Sequence, residues 1–560
     1  MKPKLFYGGI VLVIIVSMLL SGCGSPAAAT PAPAAASTAP AANPTSPAAT
    51  MNRDPKTLVV AIYSNPGDLD PASSAEQLGN IIIQANYDGL VRVKADNINE
   101  VVPALAETWE HNADFTEWTF HLHKNAKFHD GTPLDAQAVK TSFARLVNIK
   151  LGMSYILGTF ISDPEKEIIV VDASTLQFKF DSPKPLLIKA LSSGYGAYII
   201  NPTAIAKNEV DKDMAHKWLN TNVAGSGPYI MTEYTPSQQV VLTRNPDWWG
   251  WKDGFHFEKI ILKVIPERAT RRSLVETGDV DATFNLSPED WEALKKNSAV
   301  VVDLPPGLSI SYITLGANGY LKDPKVRQAL NYAFDYKGFI GGMWKGYAIR
   351  SYSILPGGMQ CSDPNIFKYE TDIEKARALL KEANVPMDGS VNWLYWAEEG
   401  GGDMGAGLIL QSQLQKLGIN LKVEEHDSAT VSGQFYGDDT GPARPDMFRW
   451  GWWPDYNDPT DEAWVTLHTD AGGSHGGNGG FYSNKEVDKL LDEGAKTADD
   501  AKLCEIYKTI QNITTQQDPP WIFLAQRPDE MILRKDIGGY QANIIYNQTF
   551  QFQEMFRTGY

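Results

Sequence analysis

The chain has 560 residues, and its 67 acidic against 50 basic side chains give a formal net charge of −17. That balance excludes a nucleic-acid binder, because neutralising phosphates needs a basic surface. The length predicts about three domains, or one large body with several lobes.

The N-terminus decides the compartment. Lys2 and Lys4 precede an apolar run from Leu5 to Leu20, which ends at Leu20-Ser21-Gly22-Cys23. A positive start, an apolar stretch and small residues at a cleavage point form a secretory signal. The run is shorter than the ~20 residues of a spanning helix. Its ending resembles the lipobox of bacterial lipoproteins, which implies lipidation of Cys23 and removal of residues 1–22. An uncleaved anchor helix is the competing reading. Residues 23–52 are almost entirely Ala, Pro, Ser, Thr and Gly. They have too little apolar surface to fold and read as a disordered tether.

Past the tether, strand and helix patterns alternate. Thr57 to Ile62 is a predicted strand, closed by the turn residues Asn65-Pro66-Gly67. Trp118 to His123 alternates with period two. Asp135 to Val147 has helical spacing with Asp135 as its cap, and Val326–Phe334 and Glu374–Ala383 are also helical. The sum is a mixed α/β protein with no internal repeat. Cys361 and Cys504 are the other cysteines. Export permits a disulfide between them, but sequence alone leaves their pairing open.

Several segments occur in an order that resembles the extracellular solute-binding proteins of family 5, the peptide-, dipeptide- and nickel-binding proteins of ABC importers. They begin with Leu69-Asp70-Pro71 and Tyr87-Asp88-Gly89-Leu90-Val91. Pro103-Ala104-Leu105-Ala106, Trp109, Trp118-Thr119-Phe120 and Phe128-His129-Asp130-Gly131 follow. After Gly225-Ser226-Gly227-Pro228-Tyr229 come Val326-Arg327-Gln328-Ala329 and Gly451-Trp452-Trp453-Pro454-Asp455-Tyr456-Asn457-Asp458-Pro459. Most have a structural reading: Asp130-Gly131 as a turn, Trp109 and Trp118 as packing, Arg327 as a cap or pair within its helix.

The resemblance implies a two-lobed periplasmic-binding-protein fold that closes about a hinge, with an extra subdomain in the first lobe. Residues 53–73, 200–305 and 517–560 would form lobe one, 74–199 its inserted subdomain, and 306–516 lobe two. It also implies a site. In the family's peptide binders the segment matching Gly451-Trp452-Trp453 pairs with an extended ligand like an added strand. A carboxylate at the position of Asp455 holds the ligand's α-ammonium group. The loop after Leu69-Asp70-Pro71 forms the opposite wall, which brings in Ala75 and Gln77. A solvent-exposed turn at Pro454-Asp455 is the plainer reading of the same residues.

Other motifs point elsewhere. Gly400-Gly401-Gly402-Asp403-Met404-Gly405 has Gly-x-Gly-x-x-Gly spacing between a strand-like Val391–Trp396 and a helix-like Leu408–Leu417. Alone, it would suggest a dinucleotide site. His121, His123 and His129 invite a metal reading, and Ala224 breaks a Gly-x-Ser-x-Gly nucleophile motif around Ser226. The expectation is therefore a binding protein without catalytic residues, cofactor or metal. Its partners would be a peptide ligand, an ABC permease with cytoplasmic ATPases, and the membrane through its lipid anchor. It would be an extracytoplasmic monomer, anchored to the cell membrane at the cell surface or on the periplasmic face. An oligosaccharide ligand, with Trp393, Trp396 and Trp453 as a platform, and a sensor without transport are the alternatives.

Overall fold

The computed structural model describes residues 54–398, 404–438, 444–546 and 549–559. The signal segment, Cys23, the tether and residues 400–403 of the glycine-rich motif lie outside them. Strand β1 (Thr57–Ile62) is central in a seven-stranded sheet. It runs parallel to Lys259–Val264 on one side and Ala282–Thr283 on the other. Helix α1 (Gln77–Asn86) places Leu78, Ile81, Ile82 and Ala85 on one stripe, which packs with Leu58, Val60 and Ile62 in a single core.

A separate four-stranded antiparallel sheet spans Ala106–His111, Glu117–Leu122, Ile168–Asp172 and Thr175–Lys179. Helix α2 (Ala136–Ile149) covers it. Asp135 caps this helix as its sequence predicts, accepting the Ala138 N–H at 2.9 Å. Trp118, Phe120 and Leu122 alternate inward and meet Val139, Phe143 and Leu146 of α2.

Strand β2 (Val300–Asp303) edges the seven-stranded sheet, and β3 (Pro306–Leu315) opens a six-stranded one. There β4 (Asn392–Glu398), helix α3 (Met404–Gln415) and β5 (Asn420–His426) form a strand–helix–strand unit with parallel strands. Helix α4 (Ser428–Phe435), β6 (Met447–Trp452) and helix α5 (Pro459–Leu467) follow. Strand β7 (Trp521–Pro528) pairs antiparallel with β3, and the chain then returns to the first sheet as β8 (Met531–Arg534). The chain thus crosses between the two large sheets at β2–β3 and again at β7–β8. The Asp529 N–H donates to the Pro305 carbonyl at 2.8 Å, joining the crossings.

These pairings differ from the expected boundaries at two places. Strand β7 is hydrogen-bonded into the second sheet, although 517–560 was expected in lobe one. Helix α1 packs on the first sheet, although 74–199 was expected to be the insertion. In each case hydrophobic pairing, not chain position, decides membership. Arg327 also reaches beyond its own helix, donating to the Pro519 carbonyl at 2.9 Å and pairing with Asp518. Cys361 and Cys504 form a disulfide across 143 residues of sequence.

Candidate functional site

Strand β6 is paired along its whole length with β3, from Ile310 opposite Trp452 to Leu315 opposite Met447. Its other edge meets β4 only at Tyr395–Met447 and Trp396–Phe448. Among the described strands, none pairs with that edge at Trp450–Trp452. Gly451 is required from the paired side: a Cβ there would lie 2.9 Å from the Ile310 carbonyl oxygen. The backbone that approaches it is therefore that of β3.

The aromatic residues of the segment go in different directions. Trp450 stacks on Phe435 of α4 with ring centres 4.0 Å apart. Trp452 packs at the margin of the core below β3, and its indole nitrogen is buried without a hydrogen-bond partner. Trp453 turns to the core of the four-stranded sheet, and its Nε1 donates to the Tyr195 hydroxyl at 3.2 Å.

After Pro454 the chain turns into α5, and three acidic residues shape that turn. Asp461 Oδ2 accepts the N–H groups of Asp455 at 2.6 Å and Tyr456 at 3.3 Å. Asp458 caps α5 through the Thr460 N–H at 2.9 Å, and its other oxygen pairs with Lys189 at 2.8 Å. Asn457 donates to the Ile98 carbonyl at 3.0 Å.

Asp455 is 7 % exposed, and its carboxylate accepts no hydrogen bond among the described residues. Burial pushes its pKa up to about 7. Asp461 and Glu462 lie still deeper, and burial followed by the Asp455 charge drives both carboxyls well above the ordinary range. Neither oxygen of Glu462 has a hydrogen-bond partner among the described residues. Among the described residues, no basic side chain counters the charge of any of the three. An open strand edge therefore leads to an unpartnered carboxylate in a low-dielectric surround, an arrangement suited to an extended ligand ending in a cation.

On the other side, Asp70 fixes the loop. It is fully buried, pairs with both terminal nitrogens of Arg145 at 2.9 and 2.6 Å, and meets His216 Nδ1 at 2.9 Å. Its own oxygen and carbonyl take the N–H groups of Ala72, Ser73 and Ser74. This leads to Ala75, which is exposed, and to Gln77, whose Oε1 accepts the Tyr63 hydroxyl at 3.4 Å. Tyr195 accepts the Trp453 bond, and burial first, with the charge of Glu76 from that loop adding to it, pushes its hydroxyl up to about 12.

Sequence reading missed Tyr195, Lys189, Asp461 and Glu462. The first two lie in segments without a motif. The last two looked like the ordinary acidic first turn of a helix. The tryptophan platform is corrected: Trp393 is 5 % exposed within the core, while Trp396 bonds Glu424 and lies against His426. Successive strand residues face opposite sides, so Trp393 and Trp396 cannot share one surface. His121 and His123 pair with Glu110 and Glu107, and no metal-ligating group is present among the described residues. Ser226 donates to Asp88 at 2.7 Å. Its glycine neighbours are demanded by the Asn86 backbone, which a Cβ at Gly225 would meet at 1.8 Å.

Three comparisons bear on this site. A D,D-dipeptide-binding periplasmic protein of Escherichia coli K12, assigned that role as probable, is 32% identical over 503 residues, covering 89% of this chain and 94% of the relative. The periplasmic protein DppA of Helicobacter pylori, solved with the peptide STSA, superposes with a TM-score of 0.77 at 24% identity, covering 90% of this chain and 98% of that one. The oligopeptide-binding protein AppA of Bacillus subtilis, solved with a nonapeptide, gives 0.76 at 21% identity, covering 90% and 99%. The fold is thus the two-lobed periplasmic-binding type, and no helix among the described residues is long and apolar enough to cross a membrane. Residues 100–474 match the model of the bacterial extracellular solute-binding proteins, family 5, and the chain belongs to that family of binding proteins rather than enzymes.

Proposed function

We propose that this chain captures peptides outside the cytoplasm and hands them to an ABC permease. The observation that carries the reading is the open edge of β6, which runs past Trp450–Trp452 to the unpartnered carboxylate of Asp455. An extended peptide completes such an edge with its own N–H and C=O groups, whatever its side chains. Its α-ammonium, stripped of water on closure, then needs a charged acceptor, and Asp455 offers two oxygens. Gly451, Trp452 and Trp453 would line one wall, and Ala75 and Gln77 the other. Relatives named for dipeptide binding and structures holding peptides support the same reading.

The two crossings, at 304–305 and 529–530, would act as the hinge between a lobe built on each large sheet, with the four-stranded sheet as the inserted subdomain. Cys23 would carry the lipid anchor and residues 23–52 the tether, with the protein working as a monomer. The ATPases that drive transport would sit on the permease.

Calorimetric titration of the full chain with di- to pentapeptides, their N-acetylated forms, and cello- and xylo-oligosaccharides tests this. Peptide binding that disappears on acetylation is the expected result. Sugar binding with no peptide response would keep the fold and overturn the ligand class.

A further inference from the structure

The turn that presents Asp455 leaves the six-stranded sheet and is bonded to the four-stranded one. Trp453 and Tyr456, on either side of Asp455, both pack with the core of the four-stranded sheet. Asn457 donates to the Ile98 carbonyl at 3.0 Å and to the Asn99 side-chain oxygen at 2.9 Å, in the strand Asn97–Pro103 that precedes that sheet. Asp458 ends the series with its ion pair to Lys189. One turn, residues 453–458, thus carries both the candidate ligand acceptor and bonds to the neighbouring subdomain.

Lys189 lies on the short helix Leu187–Leu191, whose Leu187, Ala190 and Leu191 are buried in the core of the four-stranded sheet. Its Nζ donates to Asp458 Oδ2 and to Gln360 Oε1, both at 2.8 Å. Each acceptor is set in place without Lys189. Asp458 accepts the Thr460 N–H at 2.9 Å at the start of α5. Gln360 donates to Asp500 at 2.8 Å, and the carbonyl of the next residue, Cys361, accepts the Gln511 side chain at 2.9 Å. Asp500 and Gln511 belong to one helix, Asp500–Asn512. The four-stranded sheet is itself tied to the seven-stranded one. Arg145 of α2 pairs with Asp70 after β1, and His129 donates to the carbonyls of Gly225 and Gly227 at 2.9 and 3.0 Å. Lys189 therefore reaches from one side of the cleft into a ready-made pair of acceptors on the other.

Solvation makes this contact favour one state of the cleft. The Asp458 side chain is 0% exposed and that of Lys189 is 27% exposed. In an open cleft both charges stand in water, where such a pair contributes little. On closure Asp458 loses its water, and a buried carboxylate then needs the ammonium beside it. The pair thus stabilises the closed form alone. We propose that Lys189 is a latch: it fastens the four-stranded subdomain to the turn 453–458 once a peptide is seated, and so sets how long the peptide is retained. Lys189 acts through that turn and is a positioning residue, while the ligand itself is left to Asp455. This rests on the peptide reading above and names the group that holds the closed cleft.

The test follows dialanine, trialanine, tetraalanine and pentaalanine binding to the full chain by stopped-flow tryptophan fluorescence, which separates association from dissociation. Lys189→Met should raise the dissociation rate about tenfold and leave the association rate within about twofold, because the latch forms after encounter. Lys189→Arg keeps the charge, and its dissociation rate should stay within about threefold of the native one. Gln360→Leu should speed release in the native background and add little to Lys189→Met, since both act through the same ammonium. Urea unfolding of each variant separates a latch from a packing role. A Lys189→Met chain that unfolds at lower urea but releases peptide at the native rate would overturn the latch and leave the peptide reading standing. So would a faster release that Lys189→Arg shares in full. A chain that binds none of the four peptides would remove both.

Discussion

Asp461 holds the backbone N–H of Asp455 at 2.6 Å, so one buried acid fixes the turn that presents another. Asp461 is committed to the backbone, whereas Asp455 has a free carboxylate. The ligand-facing role therefore falls to Asp455. Replacing it by asparagine keeps the shape and removes the charge. Asp455→Asn should weaken peptides with a free N-terminus by about 3–5 kcal/mol, the range for breaking a buried ion pair. N-acetylated peptides should lose far less. Calorimetry with both peptide forms separates the outcomes, and equal losses would take the ammonium away from Asp455.

The same burial gives capture a pH dependence. An ammonium partner needs the Asp455 carboxylate ionised, and its pKa is pushed up to about 7. Affinity should fall about tenfold per pH unit below 7 and level off above it. Stability should move in the opposite direction. The carboxyls of Asp455, Asp461, Glu462 and Glu530 all have raised values, with burial as the first cause. A raised carboxyl favours the folded state most when protonated, so that stability is present below the unfolded pKa of about 4 and lost as pH climbs through 7. His129, lowered by burial, works against this on the acid side. The ligand-free chain should melt at a lower temperature at pH 8 than at pH 6, in scanning calorimetry. A flat affinity profile from pH 5 to 8 would show that Asp455 ionises normally.

Much of this was legible in the sequence because it is written in local patterns. Asp135 before an apolar periodicity announced its helix, and the alternation at Trp118–Leu122 announced a strand. The block from Gly451 to Asp455 was recognisable because tryptophan, glycine and aspartate are there in fixed order. Tyr195 and Glu462 were not legible, since each gains its role from a residue distant in sequence or from burial that no periodicity encodes. The sheet that β7 joins was not legible for the same reason: only its pairing with β3 reveals it.

Gly451 offers a mechanical test of the strand edge. Its missing side chain makes room for the Ile310 carbonyl at 2.9 Å from where a Cβ would sit. Gly451→Val should push β6 away from β3, with a cost in stability of about 1–3 kcal/mol. It should also weaken peptide binding, because the displaced edge is the one the ligand would pair with. Urea unfolding and peptide titration on one preparation measure both. Lost stability with unchanged peptide affinity would mean that the ligand lies elsewhere.

The disulfide between Cys361 and Cys504 closes a long stretch of chain, its ends 143 positions apart in sequence. Cross-links of that length mainly restrict the unfolded state, and removing one costs about 2–5 kcal/mol. Cys361 packs at the edge of the core beneath β3, and its carbonyl accepts the Gln511 side chain at 2.9 Å. The contact surface can therefore persist without the bond. The double variant Cys361→Ser/Cys504→Ser should unfold at lower urea while binding peptide with native affinity. Adding reductant should move the native chain to the variant's transition and leave the variant unchanged. A reductant-insensitive native chain would show that the two thiols do not pair in solution.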